Sequence, residues 1–242
     1  MASSYIFLNT DDSLNPNTPY DSSFNLNSKI NDLSSTKMAL STVQFSNTVY
    51  PINSFYNTFV CQENNALGTM TLTLAPNNYT GTQIASYLQT VMNAGTTQAT
   101  VYTVSYNSQS KFLTFSGTNN FKILATSTCL RELGISSRGM SSPQITFICD
   151  YPVELSGSRY IDVISNLSSK SVSSNNYTNI LVRIPLAVSF GEVVIYQSSA
   201  ESSFTVFNQD LCAIDLRLID DRNNQFILPA NSPISYTFRM SN

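Results

Sequence analysis

The sequence contains no histidine and no tryptophan. Without histidine the chain lacks the side chain best suited to proton transfer near neutral pH and the commonest metal ligand. A Ser-His-Asp or Cys-His site therefore cannot be assembled from it alone. Charge is also scarce, at 11% of residues and a net of −3. The 12 Lys and Arg residues are scattered from Lys29 to Arg239. That leaves no basic cluster to neutralise phosphates, and no nucleic-acid partner is expected. Only 8 glycines are present, in neither G-x-G-x-x-G nor G-x-x-x-x-G-K spacing, so no phosphate-cradling loop and no cofactor are expected. The four cysteines, Cys61, Cys129, Cys149 and Cys212, lie far apart with no C-x-x-C pair. Zinc ligands normally cluster, so no metal site is expected and these read as buried free thiols. No apolar run approaches a membrane span, and "MASSYIFLNTDDS" lacks the basic and long apolar regions of a signal peptide. The expectation is a soluble product of a reducing compartment with no membrane insertion.

The chemistry left open is narrow. Two carboxylates can hydrolyse a glycoside, and Asp150, Glu154, Asp162, Asp215 and Asp220 are the candidates. Without Trp or His to stack a sugar or tune a proton, these acids read as strand faces, turns and caps, and no catalytic residue is assigned. "DDSLNPNTPYD" and "IDDRNN" have the oxygen density of calcium loops but miss the EF-hand spacing, and read as turns. Asn78, Asn166 and Asn176 fit the glycosylation sequon, which a chain rich in Asn, Ser and Thr produces by chance.

What is present is a series of short β segments. "FNLN", "KMALSTVQFSNTVYPI", "ITFIC" (145–149), "RYIDVI" (159–164), "ILVRIPL" (180–186), "EVVIY" (192–196), "FTVF" (204–207) and "ISYTFRM" (234–240) are separated by polar turns. In the last, Ile234, Tyr236, Phe238 and Met240 share one face while Ser235, Thr237 and Arg239 share the other, as a half-buried strand requires. Eight or more such strands argue for a sandwich or barrel. Residues 1–23 begin with the apolar "YIFL" and continue through two prolines with almost nothing to bury, and read as an extended arm or long loop.

Residues from about 68 to 143 break the pattern. "MTLTL" alternates as a strand. After it Thr80 and Gln83 form a capping box, Ile84, Tyr87, Leu88, Val91 and Met92 follow helical spacing, and Gly95 supplies a stop. A hairpin turning near Asn107–Ser110, the strand "FKIL" and a short helix "TCLRELG" ended by Gly134 complete a small α+β insertion.

Charge concentrates in "IDLRLIDDRNNQFIL" (214–228). Ile214, Leu216 and Leu218 share one strand face, Asp215 and Arg217 the other, and Asp220–Asn224 read as a turn. This hairpin face meets either water or another molecule. Asp215, Arg217 and Arg222, with the loop aromatics Tyr20, Tyr56 and Tyr177, are the candidate contact residues.

The order of these pieces resembles a known family. "FNLNSKI", "KMALSTVQFSNTVYPINSFYNTF", "LAPNNYTGTQIASYLQTVMN", "LRELGI", "LSGSRYIDVISNL", "NILVRIPL", "GEVVIY" and "IDLRLIDDRNNQFIL" run in the sequence seen in penton proteins. These are the single-jelly-roll vertex proteins of virophages, Polinton-like elements and related double-stranded DNA viruses. The resemblance covers the chain from about residue 24 onward, in pattern rather than in a diagnostic motif, and it lacks the glycine usual in the turn that "DDRNN" occupies. It implies an all-β fold, a single jelly-roll sandwich of two antiparallel sheets with the small α+β element inserted. It also implies a structural capsid protein of the virion, assembled inside the host cell, whose partners are itself, as a homopentamer at the fivefold vertices of an icosahedral capsid, and a neighbouring major capsid protein. The arm at residues 1–23 is then expected to reach under a neighbouring capsomer, and its deletion to leave the domain folded. The alternatives are a receptor- or carbohydrate-binding jelly roll, such as a fibre head or lectin, and a small major capsid protein.

Overall fold

A computed structural model of the protein describes residues 3–31, 37–63, 68–167, 179–198, 204–205 and 210–241. The chain divides into two compact units, Met1–Val49 with Ser158–Asn242, and Tyr50–Gly157. It begins with β1 (Ser3–Asn9), β2 (Asp21–Asn31) and β3 (Lys37–Ser46). The second unit holds β4 (Thr58–Glu63), β5 (Gly68–Thr73), α1 (Gly81–Gly95), β6 (Tyr102–Tyr106), β7 (Leu113–Ile123) and β8 (Gln144–Ile148). The return to the first unit brings β9 (Tyr160–Ser165), β10 (Ile180–Pro185), β11 (Val193–Gln197), β12 (Phe204–Thr205), β13 (Asp210–Asp220) and β14 (Ser235–Ser241).

In the first unit one sheet has the order β1-β14-β3-β11, with β12 also on β3, and the other the order β10-β9-β13-β2. All pairings are antiparallel. From β1 to β3 the chain alternates between the sheets, and from β9 it fills the second before alternating again to β14. That wiring is an eight-stranded single jelly roll, with β12 as a short extra strand and the second unit inserted between β3 and β9. The core is made by the inward faces of both sheets, among them Met38, Leu40, Val43, Phe45, Ile161, Val163, Ile214, Leu216, Leu218 and Phe238.

The alternation of β3 explains a conflict in its sequence. Met38 and Leu40 are inward, yet so are Val43 and Phe45, which a regular pleat places on the opposite face. The register against β14 jumps between Thr237–Thr42 and Phe238–Leu40, leaving Ser41 as an extra residue. This bulge flips the phase, so both halves of the strand face the core.

Residues 3–23 are part of the sandwich and not a free arm. β1 pairs with β14 over seven positions, Ser3 with Ser241 through Asn9 with Ser235. Leu8 is buried in the core and Ile6 packs against it. Thr10 is buried, its hydroxyl accepting from the Ile234 amide at 2.8 Å. The arm expectation counted apolar residues, whereas β1 is held by backbone pairing and by only two inward side chains.

In the second unit the sheet order is β5-β4-β7-β6, with β8 also on β7. α1 packs on β5 and β6 through Ile84, Ala85, Leu88 and Met92. The expected capping box is formed in both directions: the Gln83 amide donates to Thr80 Oγ1 and the Thr80 amide to Gln83 Oε1. Gly95 ends the helix without a left-handed conformation. A Cβ there would lie 2.6 Å from Leu72 Cδ2, so its smallness admits β5. "TCLRELG" forms turns and no helix, with the Ile135 amide bonded to the Leu130 carbonyl. Seven residues close too few bonds to offset helix nucleation. "FKIL" is the end of β7 and not a separate strand. β4, whose Phe59, Val60 and Cys61 are all buried, has no alternation to announce it.

Glu63, at the end of β4, is buried and accepts four hydrogen bonds. Thr96 Oγ1 and Tyr102 Oη donate to Oε1 at 2.6 and 2.9 Å, and Thr97 N and Oγ1 to Oε2 at 2.7 and 2.8 Å. The carboxylate thereby joins β4, β6 and the residues following α1. Desolvation pushes its pKa up, but the donated hydrogen bonds outweigh that and hold it below the ordinary carboxyl range.

Cys61, Cys129 and Cys149 are buried free thiols, but Cys212 is exposed. Burial pushes the Cys61 and Cys149 thiols up to about 12, so neither supplies thiolate at neutral pH. Burial likewise raises Cys129. A thiol reagent should therefore modify one cysteine of the native protein quickly and all four after denaturation. Rapid reaction of a second thiol in the native chain would contradict this packing.

Candidate assembly surface

β13 lies between β9 and β2, so its outward side chains occupy the middle of a sheet face. Asp215 accepts from the Ser23 hydroxyl, and its amide donates to Asn166 Oδ1 at 3.0 Å. Arg217 Nε stands 3.6 Å from Asp21 Oδ1, with both side chains about half exposed. Gln225 Nε2 donates to the other Asp21 oxygen at 3.3 Å. On the far side of the face Arg183 forks onto Asp162 at 2.8 and 2.9 Å, and its guanidinium stacks on the Tyr160 ring at 3.8 Å. Asp162 is buried and locked in a bidentate pair, whereas the Asp21–Arg217 pair is long and solvated, so it holds neither partner firmly. Between these groups lies a shallow cleft of about 210 Å³, lined by Asp21, Ile164, Ser165, Asn166, Asp215, Leu216 and Arg217.

The outer face of the other sheet is apolar at both edges. On β1, Tyr5 is 50% and Phe7 75% exposed, and the two rings stack at 6.2 Å. On β11, Val193 and Ile195 are 46% and 63% exposed. Edge strands of soluble monomers usually carry charge, proline or bulges that discourage docking. Neither of these does so on its outer face.

The structure brings Asp215 and Arg217 onto one face, together with Asp21, Ser23 and Asn166. Arg222 lies in the turn after β13, where Asp220 Oδ1 accepts from the Arg222 and Asn224 amides at 2.9 and 2.8 Å. Asn223 takes φ +67° there, the left-handed conformation for which the resemblance expected glycine. The second arm of that hairpin makes a bridge between Ile219 and Gln225 and no further strand. Tyr20 is half-buried against its own core. Tyr56 is 8% exposed, so its ring is enclosed instead of standing out as an anchor. Tyr177 lies outside the described residues. Missed were Tyr5, Phe7, Val193 and Ile195. Their signal was the unbroken apolar runs "YIFL" and "VVIY", which leave no polar side for water.

The carboxylates considered for hydrolysis are engaged elsewhere. Arg131 pairs with Glu154 at 3.1 Å, and Asp150 accepts from the Ser136 amide at 2.8 Å. Asp162, Asp215 and Asp220 hold the partners described above. Among the described residues no group of three or more His, Cys, Asp or Glu is placed to hold a metal ion. Nor, among them, is any helix long and apolar enough to cross a membrane.

No protein-family model matches the chain, and a search of curated proteins finds no relative. Among solved structures, mavirus penton protein superposes with a TM-score of 0.53 at 11% sequence identity, covering 100% of this chain and 99% of that one. At this identity the likeness speaks to architecture. The chain thus has an all-β fold, a single jelly roll with a second unit inserted between β3 and β9, and its fold is similar to that of this penton protein over the full length of both chains.

Proposed function

We propose that the protein is a structural subunit of a viral capsid that performs no reaction. In this reading it closes into a homopentamer at the fivefold vertices of an icosahedral double-stranded DNA virus particle, beside a neighbouring major capsid protein, and is assembled inside the host cell. The observation that carries the reading is the pair of apolar outer edges on one sheet of a jelly roll whose whole-length fold matches a penton protein. A soluble monomer gains nothing by exposing these side chains, while a subunit buries them on assembly. Sparse charge favours the same outcome, because flanks of uncharged hydrogen-bonding groups meet without stripping water from ions.

The test is the mass of the full chain in solution, followed by its location in reconstructed particles. A fivefold oligomer present in a few copies at the vertices is the expected result. A free trimer that binds glycans would instead identify a fibre-head-like protein, and a copy number high enough to tile the shell would identify a major capsid protein.

A further inference from the structure

A ring built from one kind of subunit needs two different surfaces on each copy, and the first unit carries two that fit each other. One is a knob. Tyr5 and Phe7 project from β1 as a stacked pair, and Arg239 of β14 stands opposite Tyr5 in the ladder. The other is the cleft on the outer face of the opposite sheet. Its volume of about 210 Å³ is of the order of the about 150 Å³ that takes one benzene ring, so it has room for one of the two aromatic side chains.

Resting on the reading of the protein as a self-assembling capsid subunit, we propose that the Tyr5–Phe7 knob of one copy seats in the Asp21–Ile164–Asp215–Arg217 cleft of the next. Charge is complementary. The cleft rim carries two carboxylates, Asp21 and Asp215, against one guanidinium, Arg217, and the knob brings Arg239 towards that excess. The chemistry of the cleft suits an aromatic guest. Ile164 offers an apolar wall, and Arg217, about half exposed and in a long 3.6 Å contact with Asp21, can lie over a ring face. The Tyr5 hydroxyl meets carboxylates able to accept its proton in a hydrogen bond. Because knob and cleft lie on opposite outer faces of one sandwich, two copies cannot exchange both contacts. The contact is heterologous, so it propagates from copy to copy and forms a ring where the rotation between copies closes.

Native mass measurement of four full-length samples tests this: the wild type, Phe7→Asp, Asp215→Arg, and an equal mixture of the two variants. Both substitutions alter exposed side chains, so each variant should melt with the wild type. Phe7→Ser, which adds no charge, replaces Phe7→Asp if the latter fails to fold. Each variant alone should associate at least about 30-fold more weakly, the effect of losing one interface hot spot. The mixture should give one-to-one dimers and nothing larger, since only one intact knob and one intact cleft remain per pair. Variants that assemble like the wild type would overturn this contact and leave the capsid reading standing. A wild type that stays monomeric at every concentration and is absent from particles would overturn both.

Discussion

Deleting residues 2–9 should lower the melting temperature of the sandwich by about 10 °C or more, and not simply block assembly. Three losses combine. β14 loses its partner along the register from Ser3–Ser241 to Asn9–Ser235. The core loses Leu8 and the packing of Ile6, each worth about 1.5–3 kcal/mol when fully buried. β14 becomes a new edge whose inward residues Tyr236 and Phe238 line the opened core. A total on the order of 3–5 kcal/mol is a large part of the about 5–15 kcal/mol that holds a typical domain together. Thermal unfolding followed by circular dichroism checks it. An unchanged melt would mean that β1 contributes nothing within a single copy, as a true arm would behave. The contrast with Phe7→Asp is informative because it separates the two faces of one strand: Ile6 and Leu8 serve the fold, and Tyr5 and Phe7 serve the neighbour.

Replacing Glu63 by alanine should destabilise the second unit by about 3 kcal/mol, the range for leaving buried donors without their charged acceptor. The Thr97 amide and the Tyr102 hydroxyl would keep their places without the carboxylate that accepts from them. The same carboxylate gives a pH dependence of definite sign. Its folded pKa lies below the ordinary value of 4.5, so its contribution is present in full above that value and is lost as pH falls through the folded pKa. Hydrogen exchange read on peptides from residues 96–106 locates the effect. Protection there should fall on acidification in the wild type and show a weaker acid dependence in Glu63→Gln, which keeps the shape but cannot titrate. Equal acid sensitivity in both would assign the acid response to another group.

Much of this was legible in the residues. Strict alternation in "ISYTFRM" and "IDLRL" gave strands whose buried faces the structure keeps, and helical spacing behind Thr80 gave α1, because one-sided burial leaves a period in the sequence. Where both faces of a segment are apolar the period vanishes. β4 carries no periodic signal because Phe59, Val60 and Cys61 are all enclosed, and β1 carries none because Tyr5 and Phe7 face out beside the inward Ile6 and Leu8. A bulge also defeats a period, as at Ser41, where pairing with β14 decides which half of β3 turns inward.

By itself the sequence determined the class: short amphipathic strands separated by polar turns, and so a β sandwich, in a chain without histidine and with only 11% charged residues. Only the tertiary structure decided which strands are edges, that "YIFL" and "VVIY" border the same sheet, and that Asp21, Ile164, Asp215 and Arg217 surround one cleft. Edges and clefts are relations between segments far apart in the chain, set by pairing register and chain wiring, and no local pattern of residues encodes them.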